Sequence, residues 1–86
     1  MSVFVVERYL PALTPDGVRA QARREQGVPG LRYLRTTYLR DEELCFSVFE
    51  APSLAAVQSA NDRAGMPYER ITEAFDVLHD AAEEPA

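Results

Sequence analysis

The spacing of apolar residues divides this chain into four strand-like and two helix-like stretches. Residues 2–9 are β-branched and aromatic, which predicts a strand, and Pro11 closes it. Thr14-Pro15-Asp16 reads as a helix start: a threonine cap, proline at the first helical position, and an acid near the positive end of the dipole. This helix is expected to run to Gln26 and stop at Gly27, with a thin apolar stripe of Leu13, Val18, Ala22 and Gln26. Arg19, Arg23 and Arg24 then form a solvated face. Residues 31–40 and 44–50 read as two strands joined at Asp41-Glu42-Glu43. Pro52 and Ser53 lead into a second helix with Leu54, Val57, Ala60 or Asn61, and Ala64 on one face, and Gly65 and Pro67 end it. Residues 70–78 complete the set.

The order β-α-β-β-α-β predicts an α+β, ferredoxin-like sandwich, with a four-stranded antiparallel sheet and two helices on one face. One domain over residues 1–80 and a flexible acidic tail over 81–86 account for the length. The strand faces add a further expectation. Val3 and Val5 lie opposite Phe4 and Val6, and Leu44, Phe46 and Val48 lie opposite Cys45, Ser47 and Phe49. These strands are apolar on both sides, but two helices cover only one. A second copy of the same sheet is the simplest cover, so a homodimer packed sheet to sheet is expected.

Composition changes this picture little. A net charge of -5 argues against nucleic acid as a partner. Every basic residue is arginine, which fits coding bias in a GC-rich, bacterial genome. One cysteine forms no internal disulfide, so cytoplasmic location is the default, and the start of the chain is too short and too polar for a membrane span.

Val6-Glu7-Arg8, Tyr38 with its acidic turn, Cys45-Phe-Ser-Val-Phe-Glu-Ala-Pro52, and Arg63-Ala-Gly-Met-Pro67 followed by Arg70-Ile71 occur in order along nearly the whole chain. In these elements the chain resembles the small ferredoxin-like proteins grouped as domain of unknown function 4242, a family with a nickel-binding branch. The resemblance implies the same fold, a dimer, and nickel or another transition metal as a cofactor. Metal-binding relatives would be expected to carry histidines in the second strand and second helix. This chain has Arg35-Thr36-Thr37-Tyr38 and Asn61-Asp62-Arg63 there.

The chemistry-bearing candidates follow. Cys45 is a small buried side chain or, beside a cation such as Arg8 or Arg35, a soft metal ligand. Glu7 and Glu50 stand on neighbouring strands, either as ion pairs at the sheet ends or as converging carboxylates for a metal or a general base. Asn61 faces the core from a helix and needs partners there. Cys45, Glu7 and Asn61 form the candidate metal set, and Tyr38, Glu50 and Arg8 the candidate ligand pocket. His79 reads as exposed, and Asp41-Glu42-Glu43 as a solvated tip. The leading functional reading is a small, dimeric, non-catalytic metal- or ligand-binding protein. A cofactor-free enzyme with a cavity lined by Phe4, Phe46, Phe49 and Phe75, and a structural interaction module, are the alternatives.

Overall fold

The computed structural model describes residues 1–75. Strand β1 (Ser2–Tyr9) is followed by α1 (Pro15–Gln26), β2 (Arg32–Leu39), β3 (Leu44–Ala51), α2 (Leu54–Arg63) and β4 (Arg70–Ala74). The expected last strand to Leu78, His79 and the 81–86 tail fall partly or wholly outside the described residues. The sheet is antiparallel in the order β2-β3-β1-β4, as the ferredoxin-like reading requires. Among the described residues no helix is long and apolar enough to cross a membrane.

Local chemistry sets the boundaries. The Thr14 and Ser53 hydroxyls accept from the amides of Gly17 and Ala56, which caps both helices. Helix α2 ends in a Schellman turn: Met66 N–H bonds Asn61 O at 3.0 Å and Gly65 N–H bonds Asp62 O at 3.1 Å. That turn needs a residue at positive φ, and Gly65 supplies it at +68°. Met66 is thereby folded back into the core.

The face covered by the helices buries Phe4, Val6, Arg8, Cys45, Ser47, Phe49 and Ala51, with Val57, Ala60 and Asn61 descending from α2. Leu54 and Ala64, expected on that inner face, are exposed instead. Helix α1 departs further from expectation. Its buried residues are Gln21 and Glu25, while Val18 and Ala22 are half-buried and Gln26 is exposed. The helix therefore turns a polar stripe, one helical turn long, toward the sheet, because the sheet offers polar partners there.

One irregularity in β2 makes those partners available. The pairing with β3 shifts between Tyr33 and Arg35, so Leu34 is an extra residue. Tyr33 pairs with Phe49 and Thr36 with Ser47, both on the covered face. In a regular strand, residues three apart would face opposite ways; the bulge brings both inward. Tyr33 then meets the Phe49 ring edge-on at 5.8 Å between centroids. Deleting Leu34 should force one of the two residues onto the open face. We expect a loss of about 3 kcal/mol or more in urea unfolding followed by circular dichroism, well beyond the effect of Leu34→Ala.

Candidate functional site

The covered face holds a polar cluster where β1, β2, β3, α1 and α2 meet. At its centre, Arg8 and Glu25 form an ion pair, Nε to Oε2, at 2.8 Å, with side chains 2% and 0% exposed. Arg8 reaches it because β1 turns every second side chain beneath the helices; Glu25 reaches it from the last turn of α1. The rest of the guanidinium is equally engaged. Nη2 donates to Asn61 Oδ1 at 2.7 Å, and Nη1 to the carbonyls of Met66 and Pro67 at 3.3 and 3.1 Å. Asn61 is held in that orientation because its own amide donates to Val57 O at 2.8 Å.

Glu25 is enclosed on its other sides. Gln21 Nε2 donates to Oε2 at 3.1 Å, Thr36 Oγ1 to Oε1 at 2.8 Å, and Ser47 Oγ lies 2.6 Å from both carboxylate oxygens. Each hydroxyl has one proton to give. Thr36 gives its proton to Glu25, so Tyr33 OH must be the donor in their 2.7 Å contact. Ser47 is committed to Glu25 in the same way, so the Cys45 thiol donates in its 3.6 Å contact with Ser47. Among the described residues, no buried side-chain nitrogen or oxygen lacks a partner. A buried charge pair repays its desolvation only when its remaining positions are satisfied, as they are here.

Burial pushes the Cys45 thiol pKa up, and the nearby Glu25 carboxylate pushes the same way. Arg8 opposes this weakly; Ser47 would stabilise a thiolate only by turning its hydroxyl from Glu25. Cys45 is accordingly a neutral, buried thiol rather than a nucleophile.

The structure brings together Cys45, Asn61 and Arg8, but not Glu7. Glu7 lies on the open face, bonded to Arg70 at 3.0 Å. Glu50 is also on the open face, near the far end of the sheet, bonded to Arg32 at 2.8 Å. The two carboxylates do not converge; each takes the sheet-end ion pair. Tyr38 lies on the covered face opposite Cys45, and its hydroxyl donates to Leu10 O at 2.7 Å. Glu43 is more than a solvated tip. Its carboxylate accepts from Tyr9 OH and from Ala12 N–H, which ties the β2–β3 hairpin to the β1–α1 loop. The four phenylalanines do not share a cavity: Phe4 and Phe49 are in the core, Phe46 is on the open face, and Phe75 is 87% exposed.

Sequence reasoning missed Glu25, Gln21, Ser47 and Thr36. The available signal was the spacing of Val18, Gln21, Glu25 and Val28, which follows one face of a helix.

Two surface hollows flank the cluster. A cleft of about 260 Å³ is lined by Asn61, Asp62, Gly65, Met66 and Pro67, three of which bond the Arg8 guanidinium. A groove of about 410 Å³ runs beside α1, with Leu13, Pro15, Val18 and Tyr38 in its lining and Arg19 and Arg40 among them.

This arrangement defines a ferredoxin-like α+β protein with a charged, fully bonded interior. Residues 4–74 match the family model described as nickel responsive protein SCO4226-like, and the chain belongs to that family. The crystal structure of SCO4226 from Streptomyces coelicolor A3(2) is similar in fold, with a TM-score of 0.77 at 18% identity, over 90% of this chain and 100% of that one. No curated protein sequence matches the chain.

Nickel favours imidazole, thiolate and carboxylate donors. The interior cluster does not fit it. Its carboxylate is saturated, its thiol is held protonated, its amide oxygen is occupied by Arg8, and a guanidinium stands where a second cation would be repelled. Among the described residues, no three of His, Cys, Asp and Glu come together as a metal set.

Two outcomes follow. Replacing Arg8 by Met or Glu25 by Leu should each cost about 3–5 kcal/mol in denaturant unfolding, and the double variant should recover much of that loss, because only the single variants strand a buried charge. The Cys45 thiol should resist alkylation in the native protein at neutral pH and react on unfolding. Its folded pKa is raised, so its contribution to stability is complete below the ordinary thiol range and is lost as pH rises through the raised value. The difference in unfolding free energy between wild type and Cys45→Ala should therefore shift against wild type above about pH 9.

Proposed function

We propose that this chain is a small, non-catalytic, homodimeric binding protein of the nickel-responsive-like family, its two copies packed sheet to sheet. The observation that carries the reading is the open face of the sheet. Val3, Val5, Leu39, Leu44, Phe46 and Val48 share it, and neither helix covers it. Its charged residues include the pairs Glu7–Arg70 and Glu50–Arg32, neutralised within one chain, so a two-fold copy meets little net charge from them. Strands of this length, at about 3.3 Å per residue and about 4.8 Å apart, project on the order of 500 Å². That projected area is more than half of the ~800 Å² per partner of a stable interface.

Binding rather than turnover is supported by the interior, where acid, base and thiol are all committed to internal bonds. The ligand we assign is an organic anion in the groove over Tyr38. Its volume suits a small molecule, its lining supplies apolar contact, and Arg40 supplies charge. This extends the ligand-pocket expectation for Tyr38 and moves it away from Glu50 and Arg8. The domain of unknown function 4242 is, on this reading, the wider group, and the cytosol the compartment. A structural interaction module is the second reading, favoured by the filled interior.

Light scattering after gel filtration should give twice the 9.6 kDa chain mass, and Val5→Asp with Phe46→Asp should give a folded monomer. A monomeric wild type at high micromolar concentration would reject the dimer. Titration with naphthoate, followed by NMR, should shift Leu13, Val18 and Tyr38, and Arg40→Glu should weaken binding about tenfold. Absence of those shifts would leave the interaction module as the better reading.

A further inference from the structure

The interior cluster has the anatomy of a cation site. A carboxylate 0% exposed, ringed by hydroxyl and amide groups, faces an amide oxygen and two backbone carbonyls across a short gap. The gap is filled by the Arg8 guanidinium, which donates to all of these acceptors: Glu25 Oε2, Asn61 Oδ1, Met66 O and Pro67 O. We infer that Arg8 is the resident cation of this site, and that this member of a nickel-responsive-like family is closed to divalent metal in its interior because its own side chain holds the place.

A surface cleft lies beside the same acceptors. Asn61, Met66 and Pro67 bond the guanidinium on their inner side and line the 260 Å³ cleft on their outer side. Truncating Arg8 empties the space between these acceptors and Glu25, which lies behind the buried Asn61 and Met66. The carboxylate is then buried beside Gln21, Thr36 and Ser47, whose donors stabilise its charge but do not neutralise it. A small cation taken into the vacated space restores neutrality. Two chemistries suit the vacated space: methylguanidinium, which reproduces the head of the lost side chain, and a divalent ion such as nickel, taken by Glu25 and the Asn61 amide oxygen. Asp62 in the cleft lining favours either one.

The test compares wild type, Arg8→Ala, and Arg8→Ala with Glu25→Gln, by thermal unfolding and by calorimetric titration with nickel chloride on chelator-stripped protein. Wild type should show no nickel uptake that depends on Glu25, and no rise in melting temperature with nickel or about 1 mM methylguanidinium. Arg8→Ala should melt lower, rise by several degrees with either cation, and bind one nickel ion per chain. Adding Glu25→Gln should abolish both responses. If Arg8→Ala is unfolded alone, the expected result is recovery of its circular dichroism on adding either cation. Nickel uptake by wild type that falls about tenfold in Glu25→Gln or Cys45→Ala would overturn the inference. So would an Arg8→Ala protein, folded or not, that answers to neither cation.

Discussion

The contact between Arg8 and Glu25 is the constraint around which the covered half of the molecule is arranged. A charge removed from water is tolerated only beside its opposite and only with its remaining positions bonded. Meeting that demand recruits a residue from nearly every element. Helix α1 must present Gln21 and Glu25, β2 must present Thr36, β3 must present Ser47, and α2 must present Asn61 and then turn so that two carbonyls look inward. Apolar packing of Phe4, Val6, Phe49 and Val57 supplies the bulk of the drive to fold, but it is indifferent to small changes in helix placement. The ion pair is directional and fixes where the two helices sit.

The same constraint explains the irregular features nearby. The extra residue in β2 and the left-handed Gly65 after α2 each depart from regular structure, and each delivers atoms to the cluster. The chemistry of the interior follows as well. A protonated thiol, a carboxylate bonded on both oxygens and a bonded guanidinium are satisfied by one another and their neighbours. The proposed contacts with partners accordingly use the outside of the molecule, the open face of the sheet and the groove beside α1.

The fold was legible because its boundaries are written in strong local chemistry. Thr14-Pro15-Asp16, Asp41-Glu42-Glu43, Pro52-Ser53 and Gly65 each act within a few residues, and period-two patterning set the strand faces. The cluster was only half legible. Asn61 announced itself as a polar residue on an apolar helix face, and Cys45 as a small side chain on an apolar strand, while Arg8 entered only as a cation near it. Glu25 did not, because acidic and basic residues crowd α1 and its inward stripe is polar. Helical periodicity is usually read from apolar residues, so a helix that buries glutamine and glutamate looks like one with hardly any inner face. Thr36 was hidden by the bulge, which breaks the alternation used to assign faces. Glu7 takes the sheet-end ion pair, but with a partner the sequence did not offer, because Arg70 lies 63 residues away and meets it only once β4 has paired.

The partners of Arg8 are 17, 53, 58 and 59 residues distant along the chain. No hairpin or single helix can make any of these bonds alone. The bond to Glu25 closes only when α1 has docked on the sheet, and the other three only when α2 has. Contacts between residues so distant in sequence carry a high loop-closure cost, and any part of them formed after the folding transition state acts on the rate of unfolding rather than of folding. The cluster thus ties the first strand to both the middle and the end of the chain, so that no part of the covered face can open without breaking bonds to Arg8 or Glu25.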